Sequence, residues 1–106
     1  MHEVLGHVPM LANKDFADLC QIVGLASLGA SESELSALGA LFWYTVEVGI
    51  CTEGDKRKVY GTAIMTSIQE LDHTQSDVPE FYPFDTRNIA ANYTTYPVAT
   101  VQDYYF

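Results

Sequence analysis

Two histidines stand near the start of the chain in the stretch HEVLGH, where His2 and His7 are five residues apart. Neutral imidazoles are common ligands of transition metals. On a regular α-helix this spacing would separate the two side chains by about 140° around the axis, because each residue turns the helix by about 100°. The two rings could then meet only where the helix is interrupted. We expect such an interruption at Gly6, because glycine tolerates a left-handed conformation. Pro9 would then stiffen the outgoing chain.

Glu47, in the stretch WYTVEVG, is the candidate for a third metal ligand. It falls deep in the longest helical pattern, where an unpaired acid would be costly to bury. A divalent metal would provide the missing partner. Two histidines and one carboxylate form the ligand set of non-haem Fe(II) oxygenases, which leaves positions open for dioxygen and substrate. Taken singly, each residue has a plainer explanation, such as a helix-end histidine or a glutamate that reaches the surface.

Two other interpretations of these residues stay open. A zinc hydrolase would use His2, His7 and Glu47 as ligands and Glu3 as general base. The extra residue within HEVLGH and the lack of a further zinc motif weigh against it. A non-catalytic remnant or interaction module would keep the fold and lose the chemistry.

The composition narrows the classes of function. Fourteen acidic residues face five basic ones, a net charge of −9, so no surface could neutralise a row of phosphates and we expect no nucleic-acid partner. The sequence contains no secretory signal and no membrane-spanning apolar stretch, so we expect a soluble, cytoplasmic protein with no membrane contact. Cys20 and Cys51 are expected to be buried thiols and not a disulfide.

Periodicity and capping signals predict the elements that position these residues. The first helix is expected to begin at Asn13 or Asp15 and to end within residues 24–29. A second, longer helix follows the capping box of Ser31 and Glu34 and is expected to end near Gly49 or Cys51. Further along we expect a turn at 52–57, a short extended piece at 58–60, a capping box of Ser67 and Glu70, a loop at 74–86 and edge strands within 96–106. The predicted fold class is mainly α with a small β component.

Four stretches occur in an order that resembles one family. HEVLGHVPML is followed, forty residues after His7, by Glu47 in FWYTVEVG. Between them lies IVGLASLGAS (residues 22–31), and after them KVYGTAIMTSIQEL (residues 58–71). This set resembles the catalytic domain of the pterin-dependent aromatic amino acid hydroxylases, which act on phenylalanine, tyrosine or tryptophan. The resemblance covers essentially the whole chain.

The resemblance implies a monooxygenase that uses Fe(II), tetrahydrobiopterin and dioxygen to hydroxylate the ring of an aromatic amino acid. His2, His7 and Glu47 would bind the Fe(II). Thr66 would form a hydrogen bond behind the first histidine and fix its orientation. Val48 and Ala63 stand where the family usually has phenylalanine and glycine, which would reshape the substrate pocket. By position, the pterin contacts would be Glu3, Gly39 and Phe42, and the substrate contacts Trp43, Val48, Ala63 and Thr66.

Phenylalanine is the expected substrate. Tryptophan hydroxylases tend to carry phenylalanine where Trp43 stands. Residues 92–100 (NYTTYPVAT) lack the acid found in the pocket loop of tyrosine hydroxylases. The stretch FWYTVE is also similar to the bacterial phenylalanine hydroxylase form.

The resemblance further implies that residues 1–106 are a partial catalytic domain, its iron-binding half. The upstream half, with the pterin loop and the arginine that grips the substrate carboxylate, would be absent, as would the helix through which a full-length protein could form a homo-oligomer. Because His2 would lie on a frayed terminus, we expect the 106-residue chain alone to bind Fe(II) poorly and not to hydroxylate.

Overall fold

Helices hold most of the chain, and the computed structural model describes all 106 residues. A π-helix (His2–His7) runs into α1 (Val8–Met10) and is followed by α2 (Lys14–Ser27), α3 (Glu32–Phe42) and a second π-helix (Trp43–Glu47). The remaining elements are β1 (Ile50–Glu53), β2 (Lys56–Val59), α4 (Thr62–Met65), α5 (Ile68–Gln75), β3 (Glu80–Phe81), α6 (Thr86–Asn92) and β4 (Tyr104–Tyr105). The predicted fold class, mainly α with a small β component, is confirmed.

The histidine stretch is a continuous helix, and the predicted interruption at Gly6 is wrong. The amide of Val8 donates to the carbonyl of Glu3, the i→i+5 hydrogen bond of a π-helix. Because the turn is wider by one residue, positions five apart fall on one side of it. Gly6 has no positive φ. Pro9 lies in α1, directly after the π-helix, so the helix continues past it and does not stop there.

The predicted starts of α2 and α3 are confirmed, and the second helix continues as a π-helix to Glu47, close to its predicted end near Gly49. Asn13 accepts from the amide of Phe16 at the start of α2, and Ser31 begins α3 with both hydrogen bonds of a capping box. The α-helix ends at Phe42, and the chain continues as the second π-helix. The Thr45 hydroxyl donates to the carbonyl of Leu41 at 2.6 Å, a contact that competes with the regular backbone ladder at this point.

Two pairs of short strands complete the fold. β1 and β2 are antiparallel, with Glu53 opposite Lys56, so the turn is Gly54–Asp55 alone and the predicted turn at 52–57 is too long. Gly54 has a φ of +64°, which glycine adopts without strain. β3 lies within the predicted loop at 74–86 and pairs in parallel with β4. No helix was predicted at α6, which Asp85 caps by accepting from the amides of Arg87 and Asn88.

The core lies around the second π-helix. Tyr44 of that helix is fully buried, and burial raises the pKa of its phenol, as does its hydrogen bond to Tyr104. The end of the chain also enters the core, so the prediction of edge strands within 96–106 misses the burial of Tyr105 and Phe106. The buried apolar cluster consists of Ala40, Tyr44, Val48, Ile64, Ile89, Tyr105 and Phe106.

Two side chains differ from their predicted environment. Ser67 caps α5 by accepting from the amide of Glu70, but the Glu70 carboxylate does not return the bond. It accepts instead from the phenol of Tyr105 at 2.6 Å, which is a stronger arrangement for a buried carboxylate. Cys51 is exposed and Cys20 half-buried, so the prediction of two buried thiols is wrong, although both are free. None of the helices combines the length and apolar character needed to cross a membrane.

Candidate metal centre

Three side chains meet where the two π-helices approach each other. The Nε2 atoms of His2 and His7 are 3.1 Å apart. The Glu47 carboxylate places Oε2 at 3.3 Å from Nε2 of His2 and Oε1 at 3.1 Å from Nε2 of His7. The wider turn of the first π-helix puts both imidazoles on one side, and the second π-helix directs the carboxylate toward them.

Two threonine hydroxyls contact the imidazoles on the side opposite Glu47. One belongs to Thr62 in α4 and the other to Thr66, directly after that helix. Nδ1 of His2 lies 3.0 Å from Oγ1 of Thr66, and Nδ1 of His7 lies 3.2 Å from Oγ1 of Thr62. The Thr66 hydroxyl donates its only proton to the carbonyl of Thr62 at 2.7 Å. It can therefore only accept from His2, which places the proton of that neutral ring on Nδ1 and leaves the Nε2 lone pair facing His7 and Glu47.

The electrostatics of this meeting point favour a cation. A carboxylate and the imidazole nitrogen of His2 are acceptors, and acceptors at 3.1–3.3 Å repel unless a proton or a metal ion lies between them. The side chain of Glu47 is only 15% exposed, so water screens this repulsion poorly. Two nitrogen donors and one oxygen donor suit Fe(II) or Zn²⁺, and the residues present therefore fit a divalent transition metal.

A second carboxylate lies close to the two histidines. Glu3 has an oxygen that, with one nitrogen from each of His2 and His7, forms a set of atoms within 4.8 Å of one another. Glu47 is the better ligand, because its oxygens lie 3.3 and 3.1 Å from the two Nε2 atoms and its side chain is only 15% exposed. A half-buried carboxylate on a packed helix is held in place, whereas Glu3 is exposed and free to reorient.

Two close backbone contacts keep the π-helices in place. A Cβ on Gly6 would lie 2.0 Å from Cγ2 of Thr62, so the first π-helix can pack this closely on α4 only with glycine. A Cβ on Gly61 would lie 2.4 Å from the carbonyl oxygen of Glu47. Both contacts join a ligand-bearing helix to the segment that carries Thr62 and Thr66.

Trp43 lines two cavities, one of which reaches the centre. A cavity of 390 Å³ between α2 and α3 is lined by Glu47 and by the predicted pterin contacts Gly39 and Phe42. A cavity of 440 Å³ on the other side is lined by the predicted substrate contact Ala63. The other three predicted contacts line neither cavity. Val48 lies in the core, 1% exposed, and Thr66 lies behind His2. Glu3 is exposed on the first π-helix.

Sequence reasoning missed three residues at this centre. Thr62 lies four residues before Thr66, so both hydroxyls share a face of α4, and that spacing could have identified it. Tyr96 stacks on Trp43, and Gln102 accepts a hydrogen bond from its indole. No local pattern could have identified these two, because they reach Trp43 from more than fifty residues away.

Comparison with known proteins gives one family. The family model described as biopterin-dependent aromatic amino acid hydroxylase matches residues 1–106. The chain is 45% identical over 108 residues to phenylalanine-4-hydroxylase of Dictyostelium discoideum, covering 99% of this chain and 23% of that protein. It is 47% identical over 105 residues to tyrosine 3-monooxygenase of Homo sapiens, covering 99% of this chain and 20% of that protein. The chain thus spans about a fifth of the length of these relatives.

Solved structures give the same result for the fold. The crystal structure of Chromobacterium violaceum phenylalanine hydroxylase with bound iron(III) and oxidised 7,8-dihydrobiopterin matches with a TM-score of 0.90 and 34% identity, over 99% of this chain and 38% of that one. The apo phenylalanine hydroxylase of Colwellia psychrerythraea also matches with a TM-score of 0.90, at 28% identity, over 98% of this chain and 40% of that one. The chain therefore belongs to the biopterin-dependent aromatic amino acid hydroxylase family.

Proposed function

We propose that the chain forms the iron-binding part of a tetrahydrobiopterin-dependent monooxygenase that converts phenylalanine to tyrosine. His2, His7 and Glu47 hold Fe(II) in this proposal. The observation that carries it is the meeting of their three donor groups at 3.1–3.3 Å, with threonine hydroxyls behind both rings. The solved relative with bound iron and dihydrobiopterin supports the same pair of cofactors.

Bound Fe(II), with the reduced pterin and dioxygen, would supply the oxidising chemistry that adds a hydroxyl group to an aromatic ring. The chain's own residues bind and orient. Thr66 keeps a proton on Nδ1 of His2, so that Nε2 stays available as a donor. Trp43 forms the wall between the two cavities, and its aromatic face suits contact with a substrate ring. The pterin would lie against Gly39 and Phe42, in the cavity that Glu47 also lines.

Phenylalanine is favoured over tyrosine by the loop that lines the 440 Å³ cavity next to Trp43. Residues 98–101 line this cavity, and none of residues 92–101 is charged, so the loop offers no acid to a substrate phenol. Glu70, the charged residue of the lining, already accepts hydrogen bonds from Tyr105 and from the backbone of Gln102. Relatives that act on phenylalanine and on tyrosine are similar to this chain to the same degree, so overall identity does not separate the two substrates.

We also propose that residues 1–106 are a partial catalytic domain. The first π-helix, α1 and α2 carry exposed apolar side chains, and exposed apolar surface of this kind is typical of an interface. The His2 side chain is 41% exposed, so this ligand is poorly shielded from water. We therefore expect the isolated chain to bind Fe(II) weakly and to show no hydroxylation. The exposed residues of these helices are Val4, Leu5, Val8, Leu19, Ile22 and Leu25, and Leu11 and Leu28 directly follow α1 and α2.

A chimera tests the proposal. Residues 1–106 would replace the matching segment of the Dictyostelium phenylalanine-4-hydroxylase, so that the only family-type iron ligands come from this chain. We expect the chimera to bind one Fe(II) and to hydroxylate phenylalanine with a kcat/KM higher than for tyrosine. Hydroxylation of tyrosine alone would refute the proposed substrate, and a folded chimera that hydroxylates neither would refute the activity.

Two comparisons make this test specific. Glu47→Gln removes one anionic ligand with little change in volume, so we expect hydroxylation to be lost while the fold is kept. Glu53→Gln, on exposed β1, is the matched control and should keep full activity. A zinc hydrolase that uses the same residues would gain activity from Zn²⁺, whereas we expect Zn²⁺ to displace Fe(II) and to abolish hydroxylation.

A further inference from the structure

Two residues from the last segment of the chain hold the indole of Trp43. Its Nε1–H donates to Oε1 of Gln102 at 3.0 Å. On one face, the ring of Tyr96 stacks at a centroid distance of 4.9 Å and an interplanar angle of 14°. A ring with a hydrogen bond at its edge and another ring stacked on its face has little freedom to turn.

Gln102 is itself fixed from several directions. It is 3% exposed, and its backbone N–H donates to Oε1 of the buried Glu70 at 3.2 Å. Its backbone carbonyl accepts from Nε2 of His73 at 2.8 Å, and its side-chain Nε2 donates to the backbone carbonyl of Pro97 at 2.8 Å. Because Nε2 must face this carbonyl, Oε1 is the atom left to accept from Trp43.

Glu70 connects this arrangement to the rest of the fold. The same Oε1 that accepts from Gln102 also accepts from the phenol of Tyr105 at 2.6 Å. The Glu70 carboxylate makes these two bonds because it does not close the capping box at the start of α5. Through them, α5 fixes the position of the segment that reaches Trp43. Tyr105 is fully buried, so this anchor lies in the core.

We propose that Gln102 is a positioning residue for the aromatic substrate: it holds the Trp43 indole in the orientation that separates the two cavities. The proposal rests on the proposed function, in which Trp43 contacts the substrate ring. Since Trp43 lines both the 440 Å³ and the 390 Å³ cavity, a turn of the indole would change the shape of both. Glu70 and His73 act one step further away, by fixing the backbone of Gln102.

Trp43 is the only tryptophan of the chain, so its fluorescence reports on this contact directly. Gln102→Met keeps the length of the side chain and removes the acceptor. In the 106-residue chain we expect Trp43 to become more accessible to acrylamide quenching and its anisotropy to decay faster. Gln69→Met is the matched control, since Gln69 lines the same cavity, is exposed and makes no hydrogen bond to the indole.

Kinetics of the chimera give the second measurement. We expect Gln102→Met to raise the KM for phenylalanine about fivefold with a smaller change in kcat, the factor that corresponds to ~1 kcal/mol for one hydrogen bond. Trp43→Phe removes the same bond from the other side and keeps an aromatic ring. The double variant should then be no worse than either single variant, whereas independent effects would multiply.

The outcomes separate this proposal from the proposed function. An unchanged Trp43 signal in folded Gln102→Met, or multiplying effects in the double variant, would overturn the positioning role. If Gln102→Met does not fold, Trp43→Phe alone decides, and an unchanged KM overturns the proposal. A fluorescence response as expected in the 106-residue chain, together with a chimera that neither binds iron nor hydroxylates, would refute the proposed function and leave the positioning of Trp43 standing.

Discussion

The first 39 residues and the remaining 67 are packed in different ways. Of the sixteen buried residues, Gly6 is the only one before residue 40. In the first region, apolar side chains such as Ile22 and Leu28 are exposed over 62% and 76% of their surface. In the second region, Tyr44, Ile64 and Ile89 are fully buried. The proposed metal centre takes two ligands from the first region and one from the second.

This difference shows what positions each ligand. Glu47 lies on a helix that is packed into the core, and its side chain is 15% exposed. His2 and His7 lie on a helix without a core of its own, and the His2 side chain is 41% exposed. They depend on the hydroxyls of Thr62 and Thr66 and on the close approach at Gly6. The carboxylate is therefore fixed by packing and the histidines by a few specific contacts.

The largest effect is expected from a truncation in the second region. Ile89→Ala removes a fully buried side chain from the core cluster and should lower the free energy of unfolding by about 2–5 kcal/mol. Leu25→Ala in the first region, where the side chain is 59% exposed, should change it by about 0.5 kcal/mol or less. Urea unfolding of the 106-residue chain measures both. Equal effects of the two truncations would refute the contrast between the regions.

The next effect concerns the contact that joins the two regions. Gly6→Ala forces the first π-helix away from Thr62 and should cost about 1–3 kcal/mol of stability, with a loss of Fe(II) affinity in the chimera. Gly24→Ala is the matched control: it lies in α2 with nothing within 4 Å of the new Cβ, so it should stabilise by about 0.5–1 kcal/mol. Thermal unfolding measures the change in stability, and Fe(II) titration of the chimera measures the affinity. Undiminished affinity in Gly6→Ala would contradict the account.

A smaller effect is expected from the hydroxyl behind His2. Thr66→Val keeps the shape and removes the hydrogen bond to Nδ1, so the Fe(II) affinity of the chimera should fall about 10- to 100-fold. Thr66→Ser should restore it, and Thr52→Val on exposed β1 should leave it unchanged. If Thr66→Val binds Fe(II) as tightly as the native sequence, the hydroxyl does not position His2.

The smallest effect depends on pH and belongs to the second region alone. Burial raises the pKa of Tyr44, so the folded chain keeps this proton at a pH where the unfolded chain loses it, above about 10. The native state then binds more protons, so the contribution of Tyr44 to the free energy of unfolding should be constant below pH ~10 and fall above it. Tyr44→Phe should reduce that slope in urea unfolding between about pH 8 and pH 11. Identical slopes would mean that Tyr44 does not contribute.

Local signals in the sequence predicted the helix starts well. Asn13, Ser31 and Ser67 each cap a helix with the expected side-chain hydrogen bond, because capping depends only on residues a few positions away. The meeting of His2, His7 and Glu47 was also expected. The reason given for it was wrong, since two π-helices bring these residues together without any break at Gly6.

Features that depend on distant partners could not be read from local patterns. The side chain of Glu70 leaves its capping box because Tyr105 offers a buried phenol from 35 residues away. Gln102 and Tyr96 come to Trp43 only once the last segment has been anchored. The strand β3 is two residues long and exists only through its pairing with β4, so nothing in its own sequence distinguishes it from a loop.

The most direct test of the central claim is X-ray absorption of the chimera loaded with one equivalent of Fe(II). If His2, His7 and Glu47 hold one ion together, the spectrum will show the scattering of two imidazoles. His2→Ala and His7→Ala will each remove one of them, and Glu47→Gln will weaken binding while both remain. Iron that shows no imidazole scattering, or a spectrum that neither histidine variant changes, would contradict the account.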